Sequence, residues 1–152
     1  MIIYPDDLPV QTSTNYPDPF KAAVAGRSRQ RLGEAAGLKN FGINLTTLAP
    51  GAQSALRHWH MEQDEFIYIV QGELALVTDQ GEQRMTPGMM AGFPAGEANG
   101  HHLINRSEQP AVYLEMGDRT PGDRVDYPDV DLMAQWTETG WVMTHKDGEP
   151  YL

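Results

Sequence analysis

Strand-sized runs of apolar residues, separated by turn residues at short intervals, fill the sequence from Phe41 to Gly117 and constrain its fold most strongly. The 15 glycines and 11 prolines are spread along the chain rather than collected in one linker. Many short strands joined by tight turns are typical of a β-sandwich or a β-barrel. We therefore predict an all-β fold, with Gly72 closing a hairpin. Its strands include "FGINLTTL", "QSALRHWH", "DEFIYIVQ", "GELALVTD" and "PAVYLEMG".

Two segments flank this region, and the 152 residues are enough for one domain with a proper core. Residues 1–40 predict a proline-rich arm followed by a short helix. We interpret the basic run "GRSRQR" within them as a solvated helix face or a loop. Residues 118–152 are polar and irregular, but their apolar residues are too frequent for a free tail. We expect them to pack on the barrel, formed by residues 41–117, or on a partner subunit.

Composition and charge exclude several classes of function. The chain contains no cysteine, so any metal site must use nitrogen and oxygen ligands. A net charge of -10 disfavours nucleic acid, because phosphates would repel the protein. The N-terminus lacks the features of a signal peptide, and no apolar stretch approaches the length of about 20 residues that a membrane span needs. We expect a cytoplasmic protein that binds a small molecule, and neither nucleic acid nor a membrane.

His58, His60 and Glu65 lie close together in an apolar region, where unpaired polar groups are costly. Residues i and i+2 of a strand share one face, about 6.6 Å apart, so the two imidazoles can converge on one ion. A carboxylate from the next strand, if the two strands pair, would complete a set suited to a divalent first-row metal. Glu62 and Asp64 are alternative carboxylates. His101 is a third candidate imidazole, and strand alternation turns its neighbour His102 the other way.

The spacing of these residues resembles the two cupin motifs. Gly51, His58, His60, Glu65 and Gly72 follow the first motif with one extra residue before the first histidine. The second motif is matched by Gly88, Pro94, Gly96, His101 and Asn105, with two additional residues before His101. The closing segments further resemble small bacterial single-domain cupins, some of which carry the label sugar-phosphate isomerase.

This resemblance implies a double-stranded β-helix, or jelly roll, whose mouth holds one divalent ion on His58, His60, Glu65 and His101. Zn, Ni, Fe and Mn all suit such a site. It also implies a homodimer. We expect a small-molecule enzyme, either an isomerase or lyase or, with iron, a dioxygenase. A non-catalytic ligand-binding or sensor cupin is the alternative, and a storage protein with a vestigial pocket is disfavoured by four retained ligands.

The nature of the substrate is predicted from the residues expected to face the barrel interior. Strand alternation places Ser54, Ile67 and Ile69 on that side and turns Arg57 outward. The expected pocket walls are thus mainly apolar, with Ser54 as the one polar exception. A sugar phosphate would require an inward Lys or Arg. The sequence therefore favours a smaller or less charged substrate.

Overall fold

The computed structural model describes residues 1–151 as twelve strands and three very short helices. The helices are a 3₁₀ turn at Pro5–Asp7, a second at Lys21–Val24 and α1 at Leu32–Ala35. The strands are β1 (Arg27–Arg31), β2 (Phe41–Leu48), β3 (Trp59–His60), β4 (Glu65–Gln71), β5 (Leu74–Thr78), β6 (Gly81–Met85), β7 (Met90–Phe93), β8 (His102–Ile104), β9 (Ala111–Asp118), β10 (Arg124–Tyr127), β11 (Leu132–Thr137) and β12 (Gly140–Thr144). No helix in this part of the chain is long and apolar enough to cross a bilayer.

The strands form three antiparallel sheets, which confirms the predicted all-β jelly-roll fold. The first has the order β1-β2-β9-β4-β7, the second β6-β5-β8, and the third β12-β11-β10-β3. An apolar core between the first two sheets contains Leu48, Ile69, Leu74, Leu103 and Tyr113, all nearly inaccessible to solvent.

Gly72 does not close a hairpin. β4 and β5 belong to different sheets, and Gly72 lies where the chain passes from one sheet to the other. Its φ of +77° favours glycine, and a Cβ there would meet the carbonyl oxygen of Pro110 at 2.7 Å. The glycine is therefore required by a close crossing rather than by a hairpin turn.

The basic run that we interpreted as a helix face or loop is strand β1, at the edge of the first sheet. It pairs with β2 in the register Arg27–Leu48, Arg29–Thr46 and Arg31–Asn44. Its alternation is hidden in the sequence because the inward positions carry arginines rather than apolar residues. Those arginines face a polar cavity, so the usual apolar signal of a strand is absent.

The C-terminal segment is also more regular than expected. β10, β11 and β12 form a meander, and β10 pairs with β3 in the register Val125–His60 and Asp126–Trp59. Tyr127, Leu132 and Ala134 join Tyr16 and Val24 in a second apolar core. Within one chain, the segment therefore packs on β3 and on the N-terminal arm.

The pairing of β3 with β10 determines how the strands bring the candidate site together. One arrangement considered from the sequence has the histidine strand paired with the strand of Glu65. Instead β3 and β4 lie in different sheets, and residues 53–58 make only isolated bridges, Gln53 with Ile104 and His58 with His101. Glu65 therefore reaches the histidines across the barrel interior rather than along one sheet.

Candidate metal centre

The structure brings together the side chains of His58, His60, Glu65 and His101. Glu65 lies at the centre: its Oε1 is 3.1 Å from His60 Nε2, and its Oε2 is 2.6 Å from His101 Nε2 and 3.5 Å from His58 Nε2. The three imidazoles thus present the same ring nitrogen to one carboxylate. The other two candidate carboxylates, Glu62 and Asp64, do not join this group.

The rings of His58 and His60 are oriented by hydrogen bonds on their far sides. His58 Nδ1 lies 2.8 Å from the carbonyl oxygen of Leu56, to which it donates its proton. His60 Nδ1 lies 2.5 Å from Asp123 Oδ2, and the other Asp123 oxygen accepts the backbone N–H of Glu62 over 2.9 Å. A proton held at Nδ1 makes Nε2 the electron-pair donor once Nε2 itself is deprotonated, which is the arrangement that metal-binding histidines require.

His101 is positioned by packing. Its ring stacks on Phe93, with centroids 3.6 Å apart and an angle of 4° between the planes. Its backbone forms an antiparallel bridge with His58, so the two residues are fixed to one another. His101 is buried, and its Nδ1 has no hydrogen-bond partner within residues 1–151. His101 therefore lies inward, while His102 Nδ1 donates to the carbonyl oxygen of Ala55 over 2.9 Å.

The protonation states reflect this crowding. Burial by itself would lower the pKa of His60, but hydrogen bonds to Asp123 and Glu65 outweigh it and raise that pKa to about 10. Burial would raise the pKa of Glu65, yet the charge of His58 and the three imidazole hydrogen bonds hold it well below its usual range. Burial lowers the pKa of His101. The protonated, positively charged imidazole of His60 is therefore the cation beside the Glu65 carboxylate.

These donors fit a divalent metal ion. One ligand atom from each of His58, His60 and Glu65 lies within 4.8 Å of the other two, and His101 Nε2 adjoins Glu65. Imidazole and carboxylate donors with pre-oriented nitrogens suit Zn²⁺, Ni²⁺, Fe²⁺ or Mn²⁺. The burial of so many polar groups beside one carboxylate is most simply compensated by a cation among them.

A cavity of about 340 Å³ opens beside this group, and its walls are not mainly apolar as the sequence predicted. Four of the eleven lysines and arginines of this acidic chain line it, namely Arg27, Arg29, Arg31 and Arg119. Ser54, the one polar residue expected there, also lines the cavity. The prediction was wrong because it did not recognise β1 as a strand of the barrel.

Glu115 is a second carboxylate in the cavity wall. Asn44 Nδ2 lies 3.1 Å from its Oε1, Arg29 Nε lies 2.8 Å from the same oxygen, and the Tyr113 hydroxyl lies 3.3 Å from Oε2. Gly117 lies directly opposite Glu65 on the neighbouring strand, so Glu115 is the diagonal neighbour of Glu65. Diagonal neighbours are about 7–8 Å apart, which puts the second carboxylate within reach of a small molecule bound at the first.

Sequence reasoning missed Arg27, Arg29, Glu115 and Asp123. Glu115 could have been found from the alternation of "PAVYLEMG", which turns Ala111, Tyr113 and Glu115 to one face. Asp123 has no such signal, because its role depends on the pairing of β10 with β3. It lies in a segment far along the chain from the histidine that it orients.

The fold and this group of donors define a cupin, and the chain belongs to the cupin family. The family model for the cupin domain matches residues 44–117. The chain is 48% identical to a cupin-superfamily sugar phosphate isomerase from Silicibacter pomeroyi, with a TM-score of 0.93 and coverage of 97% of this chain and 94% of that one. A proposed sugar phosphate isomerase from Acidithiobacillus ferrooxidans is 29% identical, with a TM-score of 0.74 and coverage of 83% and 80%.

More distant similarity supports the fold alone. The polyketide cyclase RemF from Streptomyces resistomycificus is 21% identical, with a TM-score of 0.65 and coverage of 78% of both chains. No protein with a curated function matches the sequence significantly.

Proposed function

We propose that this cupin is a metal-dependent isomerase that acts on a small phosphorylated carbonyl compound. The observation that carries the proposal is the presence of arginines and of the histidine–glutamate group in the walls of one cavity. The similarity to the Silicibacter pomeroyi sugar phosphate isomerase supports the same reaction class. An apolar pocket, as expected from the sequence, would not suit a phosphorylated substrate, but arginines line the cavity instead.

His58, His60, Glu65 and His101 would hold one divalent ion, Zn²⁺, Ni²⁺, Fe²⁺ or Mn²⁺. When bound, such an ion polarises a carbonyl oxygen and so acidifies the neighbouring C–H bond. Asp123 and the Leu56 carbonyl keep the Nδ1 protons of two of these ligands in place. These contacts fix the site before the substrate arrives.

Arginines supply the charge that a phosphate needs. Arg27 is buried and donates from Nη1 to the carbonyl oxygen of Ser54 over 2.7 Å. Arg29 Nε forms an ion pair with Glu115 over 2.8 Å, but it has no hydrogen-bond partner among residues 1–151. One guanidinium group can bind two phosphate oxygens at once through parallel hydrogen bonds. An arginine in a cavity wall that still has N–H groups to donate therefore favours an anionic substrate.

Glu115 is the proposed general base. Isomerisation of a hydroxy-carbonyl compound moves a proton between adjacent carbon atoms while the carbonyl and hydroxyl exchange places. Glu115 would accept the proton from the first carbon and return it to the second, and the hydroxyl proton would pass to the former carbonyl oxygen, so no other reagent is consumed. Its ion pair with Arg29 and its hydrogen bond from Asn44 keep one oxygen engaged, which leaves Oε2 beside Tyr113 for the proton.

The experiment that tests the function compares the wild type with His58→Ala and with His145→Ala as a matched control. His145 lies outside the cavity and bonds Asp131. Each protein is assayed for metal content and for interconversion of three- to six-carbon aldose and ketose phosphates by NMR. We expect one equivalent of metal and turnover in the wild type and the control, and neither in His58→Ala. Turnover that survives the loss of metal would contradict the proposal, and tight binding without turnover would favour a non-catalytic cupin.

We further propose that two copies associate through the outer face of the first sheet. Adjacent rows on that face run Ile43–Met116–Phe66 and Leu45–Leu114–Tyr68, and neither contains a charge. Phe66, Tyr68 and Met90 are between 36% and 56% exposed. On a chain with a net charge of -10, this charge-free apolar face is where a second copy meets the least repulsion.

The homodimer is tested by replacing Tyr68 with glutamate at the centre of this face. Light scattering should give twice the mass of one chain for the wild type and one chain mass for Tyr68→Glu. Tyr4→Glu is the matched control, because Tyr4 is exposed on the N-terminal arm. A monomeric wild type, or a dimer that tolerates the buried glutamate, would contradict this interface.

A further inference from the structure

Arg119 differs from the other arginines of the cavity because its guanidinium has neither an ion-pair partner nor a hydrogen-bond acceptor within residues 1–151. Arg29 pairs with Glu115 and Arg31 with Glu34, and the buried Arg27 donates to a backbone carbonyl. No carboxylate within residues 1–151 lies in ion-pair distance of Arg119. An acidic chain with 21 Asp and Glu residues could readily have paired it. Its charge is left available at the cavity wall.

The position of its guanidinium is set by a glycine. A Cβ on Gly42 would lie 2.6 Å from Arg119 Nη2 and 3.0 Å from Cζ, so the guanidinium occupies the space in which a side chain at position 42 would stand. The φ of Gly42 is not positive, so the backbone conformation at position 42 does not itself require glycine. The Arg119 guanidinium is the group that a side chain at position 42 would displace.

Gly42 lies in the same inward-facing row as the proposed metal ligand Glu65. The row runs Gly42–Gly117–Glu65–Phe93 across β2, β9, β4 and β7. Two strand spacings separate Gly42 from Glu65, or about 10 Å. Gly117, between them, carries no side chain, so the wall from the guanidinium to the carboxylate is bare backbone. A small molecule lying along it would meet a cation at one end and the donor group at the other.

We infer that Arg119 binds the anionic end of the substrate, across the glycine floor formed by Gly42 and Gly117. The inference rests on the proposed function and deepens it, because it identifies which arginine selects a substrate with an anionic group remote from its metal-binding end. The span of about 10 Å between the two backbones, shortened by the side chains at each end, suits a phosphate two to four bonds from the metal-binding oxygen. Arg119 is a specificity-determining residue in this assignment.

The test measures binding rather than turnover, with two probes. Glycolate carries a carboxylate that can bind the metal, and phosphoglycolate adds a phosphate at the other end. Isothermal titration of zinc-loaded protein gives the ratio of their dissociation constants. We expect the wild type to prefer phosphoglycolate by about tenfold or more, as for a charge-assisted hydrogen-bonded pair. Arg119→Gln should abolish most of this preference and leave glycolate binding unchanged.

Two glycine substitutions test whether the position of the Arg119 guanidinium matters independently of its charge. Gly42→Ala keeps every charge but displaces the Arg119 guanidinium, and it should reduce the preference severalfold. Gly92→Ala is the matched control, because Gly92 lies on β7 of the same sheet and its added Cβ would make only an ordinary 3.7 Å contact with Phe66. That variant should keep the preference. Thermal unfolding of each variant verifies that the fold is retained.

The outcomes distinguish this inference from the proposed function. If zinc-loaded protein binds glycolate, but prefers phosphoglycolate equally with and without Arg119, the role of Arg119 is refuted and the metal-dependent function stands. Equal effects of Gly42→Ala and Gly92→Ala would likewise refute the glycine floor. If neither probe binds the zinc-loaded wild type, both proposals fail.

Discussion

His60 and Asp123 are joined by a hydrogen bond of 2.5 Å between Nδ1 and Oδ2, and Asp123 is completely buried. The two residues are 63 positions apart in the chain. They meet because β10, which begins immediately after Asp123, pairs with β3. The third sheet therefore places a carboxylate behind a histidine of the candidate metal centre.

We expect Asp123→Asn to weaken zinc binding by about 10–100-fold, because loss of a carboxylate behind a ligating histidine removes the group that orients the ring and increases its basicity. Competition with a chromophoric chelator measures the affinity. Asp126→Asn is the matched control, since Asp126 lies three residues further on, in β10, and accepts a hydrogen bond from Trp59 rather than from a candidate ligand. Equal affinities for the two variants would contradict the role of Asp123.

Metal binding should release protons at neutral pH. The pKa of His60 is raised to about 10, so this imidazole is protonated at pH 7 and must lose its proton to donate from Nε2. The apparent affinity for zinc should therefore rise by up to about tenfold per pH unit between pH 6.5 and 8.5. Titration calorimetry in buffers of different ionisation enthalpy counts the protons. An affinity that falls as the pH rises would have the wrong sign.

Glu115→Gln should reduce kcat by about 10²–10⁴-fold while leaving metal content unchanged, because the amide cannot accept the substrate proton. Elemental analysis and the NMR assay of turnover are run on the same samples. Glu82→Gln removes an equivalent charge from the surface pair with Arg106, and it should behave as the wild type. A Glu115→Gln enzyme of full activity would exclude this residue as the base.

The C-terminal meander should contribute to the stability of the whole domain. Leu132 is fully buried in the second core, so Leu132→Ala is expected to lower the free energy of unfolding by about 2–5 kcal/mol. Leu38→Ala removes the same atoms from a side chain that is 41% exposed, and it should change stability little. Urea denaturation gives both values. A separate transition that affects only the C-terminal segment would show that it is not integral to the domain.

The sequence was sufficient for the fold class and for the convergence of four side chains. Local spacing predicts that His58 and His60 share one side of the chain and that His101 faces inward, and this information is present in the chain itself. The walls of the cavity depend on tertiary pairing. Arg29 faces inward only because β1 joins the edge of the first sheet, and an alternation of arginines has no apolar signal.

Asp123 is the clearest case of long-range information. Nothing in "GDRVDY" distinguishes a buried carboxylate from an exposed one until the partner strand is known. The two glycines of the cavity floor were also beyond prediction, since their role depends on a guanidinium from a different part of the chain. The homodimer, the cytoplasmic location and the identity of the metal remain predictions.

The position of Asp123, immediately before a strand of the third sheet, has a consequence for protein engineering. A segment cut to residues 44–117, the span of the cupin family model, would include all four candidate ligands. It would lack Asp123, the strand that holds β3, and every arginine that lines the cavity. Transplanting this centre into another jelly roll therefore requires both flanks as well as the motifs, and a graft of the motifs alone would reproduce the donor atoms without the scaffold that aims them.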